Sequence, residues 1–362
     1  MRNLLGKIRT TLFDFLVFLE RGKAYTLRKI SIFLGFSFFQ IEILIDGDNP
    51  HTTKFKIYDK YSELENFSYI DFESGNLIGH TFQESYHVKI SDVILDSKTG
   101  ILFSSERNLI AESSSYPPEY LAATVHPKPP AIALGSKLNL GRELISLSSN
   151  GYYHWLNEDL PHYLHLLNNL ENPLTLVSKN RPQFVSNFLE THSIDYLEVP
   201  RFIKCAEINF ISKKSTVVWP QPKDISILRN HFSVDFSKLS PGKKIYISRI
   251  GDSRSPLFEG DLIRLLENSG WTILNATKMT MSQQINEISS AEVLAGIHGA
   301  GLSGVNWMSQ GTKLVEIGTD RFLRCFQRLA IVNGIEYSRI NYKNDRDGLN
   351  ITVGELKKLG HL

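Results

Sequence analysis

Apolar positions in the second half of the chain repeat in two alternating rhythms. Short apolar runs, KIYISR (244–249), WTILNA (271–276), VLAGI (293–297), KLVEIG (313–318) and IEYSRI (335–340), predict strands. Longer stretches with helical spacing separate several of them. PLFEGDLIRLLENSG (256–270) predicts a helix with Pro256 near its start and Gly270 as its stop. Thr280 and Gln283 form a capping box that opens a helix with Met281, Ile285 and Ile288 on one face. RCFQRLAIVNG (324–334) predicts a third. Strand and helix alternating at this spacing predict a parallel sheet flanked by helices.

The first half is less regular. YHVKI, DVILD, GILFS and NLIAES (86–113) predict short strands with turn residues between them. A Pro-rich connector (115–134) follows, and GYYHWLNEDLPHYLHLL (151–167) predicts a turn that enters a helix. The pattern over 171–235 sets no clear order. Ser, Pro, Gly and Lys crowd into FSKLSPGKK (236–244), which predicts a linker.

A chain of 362 residues is long for one simple core and predicts two domains or one large α/β unit. A net charge of +2 gives no global signal for nucleic acid. The charge is uneven, however: residues 1–29 hold seven basic against two acidic residues, +5, which leaves −3 elsewhere. Leu5, Ile8, Leu12, Leu16 and Leu19 share one helical face there, so this stretch is expected either to dock on the body or to lie on an anionic membrane surface. The apolar run 30–45 carries Gln40 and Glu42 and is shorter than a span, and Asp14 interrupts any signal-peptide core; neither a span nor a cleaved signal is expected. Two cysteines, Cys205 and Cys325, set no disulfide framework and no zinc spacing, which fits a reducing compartment. Asp46-Gly-Asp48, followed by Asn49-Pro50, is expected to be a turn rather than a metal site.

The candidate chemistry centres on AGIHGAGLSG (295–304), four glycines in ten residues after one predicted strand. Ligands in open α/β sheets bind beyond the carboxyl ends of strands, and a bare backbone at a helix start offers N–H groups to an anion. A phosphate or diphosphate is the expected guest of His298, Gly299, Ala300 and Gly301. Gly299 to Gly304 also fits G-x-G-x-x-G, so an NAD-dependent oxidoreductase, with Glu316 holding a ribose, is an alternative. The esterase-like reading of His-Gly-Ala-Gly fails for want of a G-x-S-x-G serine.

ILFSSERNLIAESS, YYHWLNEDLPHYLHL, YISRIGDSR, IHGAGLSGVNWM and KLVEIG, in this order over roughly residues 90–340, resemble the family 61 glycosyltransferases. The chain departs from the family pattern at Phe258 and at Gly304, where asparagine is usual or frequent. The resemblance includes bacterial capsule-biosynthesis proteins. It implies a GT-B-like α/β fold, two Rossmann-like domains facing each other across a cleft. On that basis residues 1–85 form a variable N-terminal region and 86–238 an acceptor-side domain. Residues 239–343 form the nucleotide-sugar domain, and 344–362 a tail packing back on the N-terminal domain. It also implies inverting transfer, with no cofactor and no essential metal, from a nucleotide sugar, UDP-linked by expectation, to a glycan, lipid-linked or protein-linked acceptor. A non-catalytic sugar-binding homologue is the other alternative. The expected location is cytoplasmic, with peripheral contact at the inner membrane face if residues 1–29 lie on the membrane rather than dock on the body.

Within that reading Arg249 and Arg254 suit phosphate oxygens, because guanidinium donates paired bonds and stays charged. Together with His298, Gly299, Ala300, Gly301 and Glu316 they are the expected donor-binding residues. Glu158 is the first candidate for the base that takes the acceptor's proton, with His154 and Asp159 behind it. His162 and His165, one turn on, are expected to be structural.

Overall fold

The computed structural model describes residues 85–105, 107, 109–114, 137–148, 151–213, 220–236, 241–319, 323–343 and 345–362, and the backbone of four short strands before them. The basic stretch 1–29, Asp46-Gly-Asp48, the Pro-rich connector and the middle of the expected linker lie outside the described residues.

The N-terminal strands are β1 (Ile41–Glu42), β2 (Thr52–Asp59), the hairpin β3 (Phe67–Ile70) and β4 (Leu77–His80), β5 (Ser85–Asp96), β6 (Leu102–Ser104) and β7 (Leu109–Ile110). The sequence predicts two strands where β5 is one strand of 12 residues. Asp92 in its middle has φ of 62°, a left-handed conformation that aspartate tolerates better than most residues. There β5 changes partners: β2 pairs with its first half and β6 with its second.

A three-stranded parallel sheet follows, built from β8 (Leu144–Ser146), β9 (Leu174–Ser178) and β10 (Tyr196–Val199) in the order β10-β9-β8. Every residue of β9 is buried, as a strand covered on both faces requires. Helix α1 (Leu160–Asn169) connects β8 to β9, and α2 (Gln183–Thr191) connects β9 to β10. This is the order that the sequence pattern over 171–235 left unset. β11 (Phe202–Ile211) then runs antiparallel beside β5 along its whole length. Helix α3 (Pro222–His231) follows, opened by a Gln221/Asp224 capping box.

The C-terminal half forms the parallel sheet that the sequence predicts. β12 (Lys243–Ile247), α4 (Glu259–Asn268), β13 (Thr272–Leu274), α5 (Met281–Ile288), β14 (Ala291–Ile297), β15 (Lys313–Gly318), α6 (Cys325–Val332), β16 (Glu336–Asn341) and α7 (Asp345–Lys358) follow in turn. The Thr280/Gln283 box forms as read: the Thr280 hydroxyl accepts from Gln283 N at 3.2 Å, and the Gln283 amide oxygen accepts from Thr280 N at 2.8 Å. All five strands are parallel in the order β13-β12-β14-β15-β16. Counted within this half the order is 2-1-3-4-5, so the chain reverses direction across the sheet between β12 and β14. In such a sheet the crevice for a ligand opens at the carboxyl ends of the two strands that flank the reversal.

The whole is a mixed α/β protein with parallel sheets compatible with Rossmann-like folds. One hydrophobic core runs through both parallel sheets and joins Trp155, Leu160 and Val177 to Ile247, Leu294, Trp307 and Phe326. The terminal segment, expected to pack back on the N-terminal domain, lies instead on its own half. Leu356 joins the cluster of Phe258, Leu262 and Trp271, and Trp271 Nε1 donates to His361 O at 3.2 Å. The amphipathic pattern of α7 carries no address, so its partner face was not legible.

Candidate active site

At the switch point, Arg249 follows β12 and His298 follows β14. The Arg249 Nη1 group donates to the His298 carbonyl oxygen, and Nη2 meets Asp252 Oδ2 at 2.8 Å. The strand-end loop carrying Arg249 is tied down by Glu259, which is fully buried at the start of α4. The Glu259 carboxylate accepts from Arg249 N at 2.7 Å, from the Tyr246 hydroxyl at 3.1 Å and from the Ser255 hydroxyl. Gly251 turns this loop at φ of 96°, which suits glycine. Arg254 stands on its rim with its side chain 67% exposed, 3.8 Å from Asp252.

The glycine cluster is explained largely by close packing. A Cβ on Gly299 would lie 2.5 Å from Arg249 Nη1, one on Gly301 2.7 Å from Ile247 Cγ2, and one on Gly304 2.5 Å from Ile288 Cδ1. Bare backbone lets the arginine lie flat on the loop and lets the following 3-10 helix, Ala300–Trp307, sit down on β12 and α5. Ala300 is its first residue and packs at the edge of the core. At both departures from the family pattern the chain packs: Gly304 admits Ile288, and the Phe258 ring meets Tyr342 edge-on at 5.1 Å.

His298 presents an imidazole with 25% of its surface exposed, and Nδ1 faces Glu316 Oε1 at 2.6 Å. Glu316, expected to reach the ligand itself, is fully buried. Its carboxylate is occupied by His298, by the Tyr337 hydroxyl at 2.7 Å and by the Arg339 guanidinium. It therefore acts behind the histidine and fixes the ring with Nδ1 inward and Nε2 outward. A glutamate inside the apolar run KLVEIG was the signal available in the sequence, because a charge in a buried strand needs partners.

The second group of candidates lies on the segment before α1. Tyr152–His154 is one α-helical turn, and Trp155–Asp159 is π-helical before α1 continues from Leu160. Pro161 is the physical cause we assign to the wider turn: it has no N–H to offer the Asn157 carbonyl, and its ring crowds that oxygen. His154 Nδ1 and Glu158 Oε1 are 3.0 Å apart, with side chains 28% and 12% exposed. Burial works to lower the His154 pKa, but the hydrogen bond and charge of Glu158 outweigh it and hold it above the ordinary histidine value. Asp159 is buried between the Ser148 hydroxyl and the Lys213 ammonium, a structural position. His162 is buried, and desolvation holds its pKa well below the ordinary value, as suits a structural histidine.

The fold brings the two groups together. The His154 ring meets Tyr153 edge-on at 5.5 Å, Tyr153 meets Phe326 at 5.4 Å, and Phe326 meets His298 at 5.3 Å. Burial pushes the Tyr153 phenol well above the ordinary tyrosine value, so this residue is a neutral spacer. Beneath it runs an amide chain that the sequence did not disclose. Asn157 Nδ2 donates to Ser303 Oγ at 3.3 Å, and Asn306 Nδ2 donates to Asn157 Oδ1 at 2.7 Å. Asn333 Nδ2 reaches Asn306 Oδ1 at 3.2 Å, and Arg229 holds Asn333 Oδ1 at 2.8 Å. Buried polar networks that are satisfied in this way fix relative position. Among the described residues no three His, Cys, Asp or Glu side chains gather as ligands of a metal would, and no helix is long and apolar enough to cross a membrane.

No curated protein matches the chain. The family model described as Glycosyltransferase 61 matches residues 152–315, from the turn before the π-helical segment through the glycine loop and into β15, and over that stretch the chain is similar to the glycosyltransferases of this family.

Proposed function

We propose that the protein is an inverting glycosyltransferase of GT-B-like architecture that moves a sugar from a nucleoside-diphosphate sugar, UDP-linked in the first instance, to a glycan or glycoconjugate acceptor. The observation that carries this reading is the meeting of Arg249, His298 and Gly299 at the switch point of a parallel sheet. In this reading the guanidinium and the imidazole there take up the charge that grows on a departing diphosphate. Preorganised donors of this kind are each worth about 2.7–4 kcal/mol of barrier. With protein cations in that role, no essential metal and no cofactor is called for. The acceptor oxygen forms its bond to the anomeric carbon while the bond to the diphosphate breaks, and the segment 154–159 supplies the base.

The proposed setting is surface polysaccharide assembly on the cytoplasmic side, with residues 1–29 as peripheral membrane contact. The oxidoreductase reading needs Glu316 at a ribose, and Glu316 is buried with its oxygens engaged. Thermal shift with UDP, GDP, CMP and NAD, followed by nucleotide release from the matching sugar donors, tests the proposal. A nucleoside diphosphate at 100 times its Kd stabilises the fold by about 2.7 kcal/mol. Stabilisation by NAD alone contradicts the reading.

A further inference from the structure

We infer that His154, through Nε2, is the base that deprotonates the acceptor, and that Glu158 is its positioning residue. The sequence ranks these two the other way. This rests on the glycosyltransferase reading and deepens it.

The geometry of the pair decides the order. With Nδ1 facing Glu158 Oε1 at 3.0 Å, the ring proton sits on Nδ1 and the lone pair on Nε2. The imidazole is the more exposed partner and the carboxylate lies behind it, 28% against 12%. An acceptor arriving from solvent meets the ring first. Asp159, the remaining carboxylate of the segment, is committed to Ser148 and Lys213. The ring also stands on the donor's side of the segment, because its face-to-edge partner Tyr153 continues through Phe326 to His298.

The same device occurs twice in the site: an imidazole in front and a less exposed carboxylate behind, as His154–Glu158 and as His298–Glu316. The two differ in what surrounds the carboxylate. Glu316 is shared with Arg339 and Tyr337. Glu158 and Asp159 act on His154 from its own segment and raise its proton affinity, while Lys213, beyond the end of β11, lowers it. In the step itself the His154 Nε2 lone pair takes the acceptor's O–H proton as that oxygen bonds to the anomeric carbon. The electron pair of the broken anomeric C–O bond leaves with the nucleoside diphosphate, and the imidazolium later gives its proton to water.

Two measurements test this. Long-range 1H–15N correlation on histidine-labelled protein reads the tautomer directly, with the His154 signal assigned by its loss in His154→Gln. The Nδ1–H form is expected above the ring's pKa; the Nε2–H form overturns the proposal whether or not any sugar is transferred. In turnover, His154→Ala is expected to fall 10²- to 10⁴-fold per folded molecule, with nucleotide affinity kept. Free imidazole is expected to restore part of the rate. Activity of His154→Ala within a few-fold of wild type overturns the assignment. So does restoration of Glu158→Ala by formate with no restoration of His154→Ala by imidazole. Absence of transfer by the wild type across all nucleotide sugars counts against the glycosyltransferase reading, and the tautomer still decides the dyad.

Discussion

Gly299→Ala isolates the arginine that the glycine loop is built around. The added Cβ would lie 2.5 Å from Arg249 Nη1 and 2.8 Å from Cζ, closer than real Cβ contacts come. The backbone at 299 is extended, with φ of 169°, so alanine adopts it without strain, and the guanidinium is the part that moves. A hydrogen bond to a charged group contributes about 1.5–3 kcal/mol. If Arg249 loses its place on the diphosphate, affinity falls about 10- to 150-fold. Isothermal titration with UDP, GDP and CMP reads this, with Gly260→Ala, where a Cβ meets nothing within 4 Å, as control. The double variant Arg249→Ala/Gly299→Ala is expected to bind no worse than Arg249→Ala alone, because the two changes act through one group. Binding by Gly299→Ala within threefold of wild type refutes the reasoning. An undiminished penalty in the Arg249→Ala background does so as well.

Three further outcomes are expected. Glu316→Gln leaves Arg339 in the core without its carboxylate, a loss of about 3–5 kcal/mol by chemical denaturation; adding Arg339→Met should recover part of it, and simple additivity of the two losses contradicts the pairing. His231, packed 4.6 Å from the His192 ring, has its pKa lowered by burial and then by His192 to about 4. The folded-state value lies below the unfolded one near 6.5, so the unfolded chain binds more protons in between; stability is full above about pH 6.5 and declines toward pH 4. Melting temperature measured from pH 7.5 to 4.5 should fall less steeply in His231→Phe, and identical slopes speak against it. Deleting residues 1–20 should weaken association with anionic vesicles, and equal binding by both forms leaves only a docked role for that stretch.

The C-terminal half was legible because each of its elements announces itself locally. Strand runs such as VLAGI and KLVEIG are buried on both faces, and Thr280 and Gln283 close the box that their spacing promised. Arg249 and His298 could be singled out because they follow strands, and strand ends in such sheets hold ligands. Other features depend on partners distant in sequence. The apolar runs of 171–235 look alike, yet β9 and β10 join a parallel sheet while β11 crosses to an antiparallel one. Glu316 read as a ligand contact because the pattern gives position along a strand but not which side chains close over it. The Asn157–Asn306–Asn333 chain spans 176 residues of sequence and left no local mark. The order that we infer for His154 and Glu158 turns on their relative exposure, which helical spacing does not contain. The wider turn at Trp155–Asp159 had one visible cause, Pro161, whose effect on the residues before it was not drawn from the sequence.

The central claim is that Arg249 and His298 form the diphosphate site. Isothermal titration of UDP, GDP and CMP into the wild type, Arg249→Ala and His298→Ala tests it most directly, with melting temperatures taken on the same preparations. The account predicts that at least one nucleotide binds the wild type and that each substitution weakens that binding tenfold or more in a folded protein. Unchanged affinity for every nucleotide in both variants contradicts it.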